Sequence, residues 1–416
     1  MVLPQSTAGK VLVCFLFVLL LHPLHTLGLT TTKTAGTMNR RLLFQNLGVA
    51  AMVVAFQITA MMVQPAQALA FQPAPKTPPT SSVANIHDVG TSPSMAAYKT
   101  LSLQLDDFGV EVPVACWFPV APSKASLDPQ TVEYQHRISV RRIGQLLAGW
   151  DFIPELASRN FALSPTSMTV TDGQNLPLPT SGPVVLLAHG YLGSRFDLSH
   201  LAEELTQQGF ICLSPEFPES LAASYDRMDG LDRSRITQAL LRAIPNEWQL
   251  QPSSYGIVGH SLGCGTVIKT GDKNWARVCI AGFPRQQDGS PISGNVLFLT
   301  SMNDGAVSLA RFGGKEAIPS DYAILDEAKL LTSIGRLPSR AALVFDRPDA
   351  PNHISFLSEG VNDAMIDLLS ALLPVAQALK IPVLDFDRYK VSRDSLPTAN
   401  VVHPLVVAYL KQEMIQ

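Results

Sequence analysis

The pattern of apolar and polar positions changes character twice along the chain. Residues 11–21 form an unbroken apolar run after Lys10, and a second apolar stretch runs from Leu42 to Ala70. The first is too short to span a bilayer comfortably and reads as the core of a secretory signal peptide. Between the two, Thr30 to Arg41 is hydroxyl-rich, basic and free of acidic residues, which resembles a plastid transit segment. The second run follows Arg40-Arg41 and ends Ala66-Gln67-Ala68-Leu69-Ala70, with small residues at the alternating positions a signal peptidase accepts. A membrane anchor over Leu42–Met62 is the alternative. From Phe71 to Ser94, Pro, Thr and Ser dominate and large apolar residues are scarce, the signature of a linker. The expected organisation is a targeting leader over 1–70, a linker over 71–95 and one folded domain over 96–416.

Within that domain the period shortens to that of strands, then alternates. Lys99–Leu105 and Val110–Val120 read as an antiparallel edge pair, and Gly144–Ala157 has helical spacing. Apolar strands are then expected at Val184–Ala188, Phe210–Leu213, Tyr255–Val258, Arg277–Ala281, Asn295–Thr300 and Ala341–Phe345. Helical patterns fall at about Arg195–Gln208, Ile236–Ile244, Asp321–Leu331, Ser355–Leu373 and Val401–Glu413. Short continuous apolar strands separated by amphipathic helices predict an α/β fold, a mainly parallel sheet covered on both faces. The stretch Glu216–Asp232 breaks this rhythm between a strand and its helix. An insertion there lies above the carboxyl ends of the strands, where ligands bind, and we read 216–232 as a lid in preference to a surface loop.

Composition narrows the partners. The chain is 46% apolar, enough for a sizeable core, with a net charge of -3. No acidic residue precedes Asp88, and loss of the leader would leave 27 basic against 34 acidic residues. A mildly acidic domain has no basic stripe to neutralise phosphates, so nucleic acid is not an expected partner. Cys116, Cys212, Cys264 and Cys279 show no metal-type spacing and read as buried free thiols. Neither a metal nor an organic cofactor is expected.

The chemistry centres on Gly259-His-Ser-Leu-Gly263, which follows the strand Tyr255–Val258 and opens a small-residue helix. Glycines two residues either side of Ser261 suit a strand-to-helix turn too tight for side chains, one that lifts the hydroxyl clear. A serine hydroxyl needs a base to take its proton. His353 qualifies, directly after the strand Ala341–Phe345 in a loop stiffened by Pro348 and Pro351. The imidazole needs an acid to fix its tautomer. Asp304, at the carboxyl end of the strand Asn295–Thr300, is favoured over Asp346, which more naturally caps its own loop. His260 is expected to pack beneath the turn and His403 to be structural. An oxyanion formed by attack on a carbonyl needs backbone donors; the N–H groups of Leu262 and of Tyr191, in Ala188-His-Gly-Tyr-Leu-Gly, are the candidates.

The order Ser261, Asp304, His353 resembles that of the α/β-hydrolases, and the resemblance covers roughly residues 100–415. Pro183-Val-Val-Leu-Leu-Ala-His-Gly-Tyr, Gln208-Gly-Phe-Ile-Cys-Leu-Ser-Pro and Gly-His-Ser-Leu-Gly-Cys-Gly-Thr look most like the group containing plastid chlorophyllases and platelet-activating-factor acetylhydrolases. The resemblance implies a serine carboxylic-ester hydrolase acting on a hydrophobic ester, with the phytyl ester of chlorophyll as the most specific candidate. The alternatives are a lipase or acetylhydrolase on glycerolipids or phospholipids, an acyltransferase using the same side chains, and a hydrolase-like binding protein without catalysis. The leader directs the expectation to a plastid entered through the secretory route, with thylakoid association and peripheral membrane contact; secretion or an endomembrane location is the alternative.

Overall fold

The computed structural model describes residues 95–121, 132–148, 159–165, 170–282, 292–330, 335–366 and 393–415. The expected leader and nearly all of the linker lie outside the described residues. No helix among the described residues is long and apolar enough to cross a membrane.

Ten strands form one sheet: β1 (Met95–Leu105), β2 (Val110–Val120), β5 (Val170–Asp172), β6 (Ser181–Ala188), β7 (Ile211–Pro215), β8 (Gln251–His260), β9 (Ala276–Ile280), β10 (Val296–Ser301), β11 (Ala323–Leu325) and β12 (Arg340–Phe345). Strands β3 (Tyr134–Ile138) and β4 (Arg159–Leu163) make a separate antiparallel pair. Across the large sheet the order is β11-β12-β10-β9-β8-β6-β7-β2-β1-β5. From β7 to β11 every pairing is parallel; β2 runs antiparallel to both β1 and β7.

The continuous apolar runs become strands buried on both faces. In β6, Val185 and Leu187 join one core while Val184, Leu186 and Ala188 join the other. The period-two alternation of a strand divides them in this way. Burying each such Val or Leu is worth about 1.5–3 kcal/mol. The first core is roofed by α2 (Ser199–Gln207) through Leu201 and Leu205, and by α6 (Ser395–Met414) through Leu405, Val406 and Tyr409. The second is roofed by α3 (Arg233–Asn246) through Ile236 and Leu240, and by α4 (Leu262–Lys269) through Val267. A short α1 (Val140–Ala148) and a one-turn α5 (Glu327–Leu330) complete the named helices.

The chain passes from β6 outward to β7, then returns to lay β8 on the other side of β6. Strand order therefore reverses at β6, and a crevice opens beyond the carboxyl ends of the strands there. A mainly parallel sheet in this order, with an antiparallel second strand and helices on both faces, is the α/β-hydrolase fold.

Four expectations are corrected. The helix expected over Asp321–Leu331 begins as β11, because Ala323–Leu325 finds the open edge of β12, and helix forms only from Glu327. The N-terminal pair is not the sheet edge, since β5 adds outside β1. The helix expected from Ser355 starts at 359, because the Asn352 side chain takes the N–H groups of Ile354 and Ser355 and holds that stretch in a turn. The helix expected over Gly144–Ala157 begins earlier, at Val140; beyond Ala148 it lies outside the described residues.

In the stretch 216–232, Phe217, Leu221, Ala223 and Tyr225 are buried. Leu221 N–H donates to Gly193 O and Ser139 N–H to Leu221 O, each at 3.1 Å. Its first half is thus tied into the body beside the loop leaving β6, and the tip at 226–230 is exposed.

Candidate active site

Strand β8 ends at His260 and α4 begins at Leu262, so one residue makes the whole turn. That residue, Ser261, has φ 54° and ψ -116°, a conformation side-chain-bearing residues rarely adopt. Such strain costs on the order of 1–3 kcal/mol and persists where the surroundings enforce it. The glycines enforce it: a Cβ on Gly259 would lie 2.4 Å from Gly263 O, and one on Gly263 would lie 2.0 Å from Ala188 O. The Ser261 N–H donates to Ile280 O at 2.9 Å, fixing the turn to β9.

His353 leaves the β12 end with Nε2 2.8 Å from Ser261 Oγ and Nδ1 2.8 Å from Asp304 Oδ2. The second carboxylate oxygen of Asp304 accepts the N–H groups of Ala306 and Val307, at 2.8 and 2.7 Å. Asp304 is fully buried. Burial pushes its carboxyl up, but the neighbouring imidazole and the hydrogen bonds from His353, Val307 and Ala306 outweigh it, holding the group below the usual carboxylate range. An ionised Asp304 accepts from Nδ1–H, which leaves Nε2 free to accept the serine proton.

The backbone next to His353 is held by neutral groups, while Asp346 and Asp349 earlier in the loop pair with Lys315 and Arg393. Ser301 Oγ donates to Pro351 O at 2.5 Å, Asn362 Nδ2 to Ile354 O at 2.8 Å, and His260 Nε2 to His353 O at 2.9 Å. Burial, aided by the nearby His353, lowers His260 to about 3, so its imidazole is neutral with the proton on Nε2. Under the turn, then, His260 holds the backbone of the residue above it.

The loop leaving β6 is arranged around a different need. Gly190 approaches the elbow so closely that a Cβ on it would lie 3.3 Å from Ser261 Cβ. Its neighbours' peptide N–H groups are used internally: Leu192 donates to Glu219 O, Gly193 to Gly190 O, Ser194 to Asp197 Oδ1 and Arg195 to Glu216 Oε1. The Gly190 N–H faces the buried Asp197 carboxyl, which burial raises to about 7. Among the described residues, the Tyr191 N–H has no acceptor. Leu262 begins α4, and first-turn N–H groups have no intrahelical acceptor. Two donors therefore remain beside Ser261.

The other expected residues fall elsewhere. Asp346 pairs with Lys315 at the surface. His403 lies within α6, not at its start, and bonds Glu204 at 2.9 Å. Cys264 turns its thiol inward to Gly259 O and Ile280 O, and all four described cysteines are free and buried. Asp197, Glu216 and Arg233, which organise the loop after β6, were not expected from the sequence. A basic residue opening a helix, against its dipole, was the one available signal for Arg233.

No family model and no curated protein matches the sequence. Solved structures do. A ferulic acid esterase from Streptomyces cinnamoneus shares 15% identity, covering 79% of this chain and 92% of that one, with a TM-score of 0.40. A dienelactone hydrolase from Anabaena variabilis shares 16% identity over 66% of this chain and 96% of that one, with a TM-score of 0.34. A cold-adapted esterase from an Arctic intertidal metagenomic library shares 15% over 66% and 93%, also at 0.34. The fold stands on the strand order, independently of these likenesses.

Proposed function

We propose that this protein is a serine carboxylic-ester hydrolase. The observation that carries the reading is the run of two 2.8 Å contacts from Ser261 through His353 to Asp304, with Ser261 held at positive φ. Ser261 Oγ attacks the ester carbonyl as its proton passes to His353 Nε2, and the carbonyl π pair moves onto oxygen. The Tyr191 and Leu262 N–H groups receive that oxyanion. Collapse breaks the bond to the alcohol, which leaves with the proton from His353. Water then repeats the sequence on the acyl-serine, releasing the acid and restoring Ser261.

For the substrate we favour a hydrophobic ester, with the phytyl ester of chlorophyll as the most specific candidate and chlorophyllide and phytol as products. Two features support this. The side chains of Tyr191 and Leu262, the residues after Gly190 and Ser261, are large and exposed, and the Tyr191 hydroxyl is tied to Leu146 O. The leader carries an acid-free, hydroxyl-rich segment between two apolar runs, as plastid import through the secretory route would require. The same rim suits contact with a membrane surface that holds such a substrate.

The test is a panel of chlorophyll a, a galactolipid, a phospholipid and p-nitrophenyl butyrate, with Ser261→Ala as control. Chlorophyllide release abolished by Ser261→Ala supports the full reading. Fatty-acid release without chlorophyllide would replace chlorophyll by a glycerolipid. No turnover of any ester would overturn the hydrolase.

A further inference from the structure

The loop that leaves β6 must aim one peptide N–H at a developing charge, and the Gly190 carbonyl of that peptide accepts from His189 Nδ1 at 2.8 Å and from Gly193 N–H at 3.4 Å within the loop. The guanidinium of Arg233, the first residue of α3, reaches across to it. Nη1 donates to His189 O at 2.8 Å and Nη2 to Gly190 O at 3.2 Å. Nε donates to Glu219 Oε2 at 3.0 Å, Thr266 Oγ1 lies 3.5 Å from Nη1, and the planar group stacks on Phe217 with 4.5 Å to the ring centroid. Glu219 closes the circle, since its own backbone carbonyl accepts from Leu192 N–H.

A cation at the start of a helix is disfavoured by the dipole, and burial disfavours it further. The side chain is nearly buried all the same, with 11% of its surface exposed. A residue kept against two local rules marks a place where position matters more than stability.

All peptides here are trans. In a trans peptide the carbonyl of one residue and the N–H of the next point in opposite directions. Holding Gly190 O against the guanidinium therefore turns the Tyr191 N–H away from it. We propose that Arg233 is a positioning residue for the oxyanion site: its fork on the carbonyls of residues 189 and 190, together with the His189 imidazole on the same Gly190 oxygen, sets the direction of the Tyr191 N–H, and Glu219 holds the fork. The proposal rests on the hydrolase reading above. Arginine suits the task because its fixed donors span two carbonyls and a carboxylate at once, which a lysine ammonium does not.

The experiment compares wild type with Arg233→Met, Arg233→Lys and Glu219→Gln on p-nitrophenyl butyrate and on its thionoester analogue. Sulfur is a poor hydrogen-bond acceptor, so an enzyme with a well-aimed donor prefers the oxygen ester. Losing a donor outright typically costs 10²–10³ in rate, and a misaimed one about 10–10². Arg233→Met should lower kcat on the oxygen ester by about 10–10²-fold with KM changed less than about threefold, and narrow the oxygen-to-sulfur preference by about tenfold. Arg233→Lys and Glu219→Gln should fall between it and wild type. A folded variant with unchanged kcat, or with reduced kcat and an unchanged preference, overturns the proposal. Should Arg233→Met fail to fold, the Lys and Gln variants give the same reading. A wild type that turns over neither ester defeats the hydrolase reading instead, a result separable from failure of the variants alone.

Discussion

The loop after β6 and the loop after β12 both reach Ser261, and they are held by different chemistry. Around residues 189–197 the fixing groups include ionisable side chains: Glu216 and Asp197 are buried, Arg195, Arg233 and Glu219 partly buried, and burial raises Asp197 to about 7. Glu216 bonds the backbone and guanidinium of Arg195, Asp197 takes the Ser194 N–H and faces that of Gly190, and Arg233 with Glu219 holds the loop from the other side. Around residues 351–358 they are neutral: Ser301, Asn352, Ser355, Asn362 and His260. The two meet at Ser358, whose N–H and hydroxyl both donate to Asp197 O.

The difference follows from what each loop presents. The β12 loop presents a side chain, and an imidazole between Asp304 and Ser261 is aimed by those two partners. The β6 loop presents a backbone N–H, whose peptide carbonyl is held by the His189 imidazole from within the loop and by Arg233 from outside it. The charge-assisted bonds from Arg233 to the carbonyls of residues 189 and 190 add to that constraint.

The comparison breaks most visibly in catalysis. Asp304→Asn should lower kcat by about 10³–10⁴-fold with the protein still folded, since an amide can favour the wrong imidazole tautomer; initial rates together with circular dichroism read this. Stability should separate the two loops next. Glu216→Gln leaves Arg195 without its buried carboxylate and should cost about 3 kcal/mol in urea unfolding, because breaking one side of a buried pair strands the other. Asn352→Ala removes neutral acceptors and should cost less, about 1–3 kcal/mol. Equal losses would remove the distinction drawn here.

A smaller effect is spread through the molecule. Burial lowers His136 to about 4, His200 and His260 to about 3, and His189 well below its ordinary value. Folded-state values below the unfolded 6.5 mean that the folded chain favours the neutral rings. Their contribution is complete above about pH 6.5 and is lost as pH falls toward 3–4. Each histidine should steepen acid destabilisation by about 1.4 kcal/mol per pH unit in that window. His136 Nδ1 has no partner, so His136→Leu should take up about one proton fewer on acid unfolding, measured by the pH dependence of the urea midpoint. An unchanged pH slope would contradict the assignment.

Much of this was legible in the sequence, for identifiable reasons. Val184–Ala188 and Ala341–Phe345 are apolar throughout, and only a strand covered on both faces uses such a run. Gly259 and Gly263 announced the turn because backbone, not side chain, fills the space beside them. Asp304 and His353 were found by following strand ends in order. Glu216, Asp197 and Arg233 were not found, since a charged residue in a loop looks solvated until tertiary structure buries it. The segment at 321–331 misled because an edge strand of three residues carries too little period to outweigh the helical spacing that follows.

The central claim is that Ser261 is the activated nucleophile, and a fluorophosphonate probe tests it most directly. Intact-mass and peptide mass spectrometry should find one adduct per chain, on Ser261, with labelling slowed at least about 10³-fold in His353→Gln. Absence of an adduct on folded wild type, or equal labelling of Ser261→Ala, would contradict it.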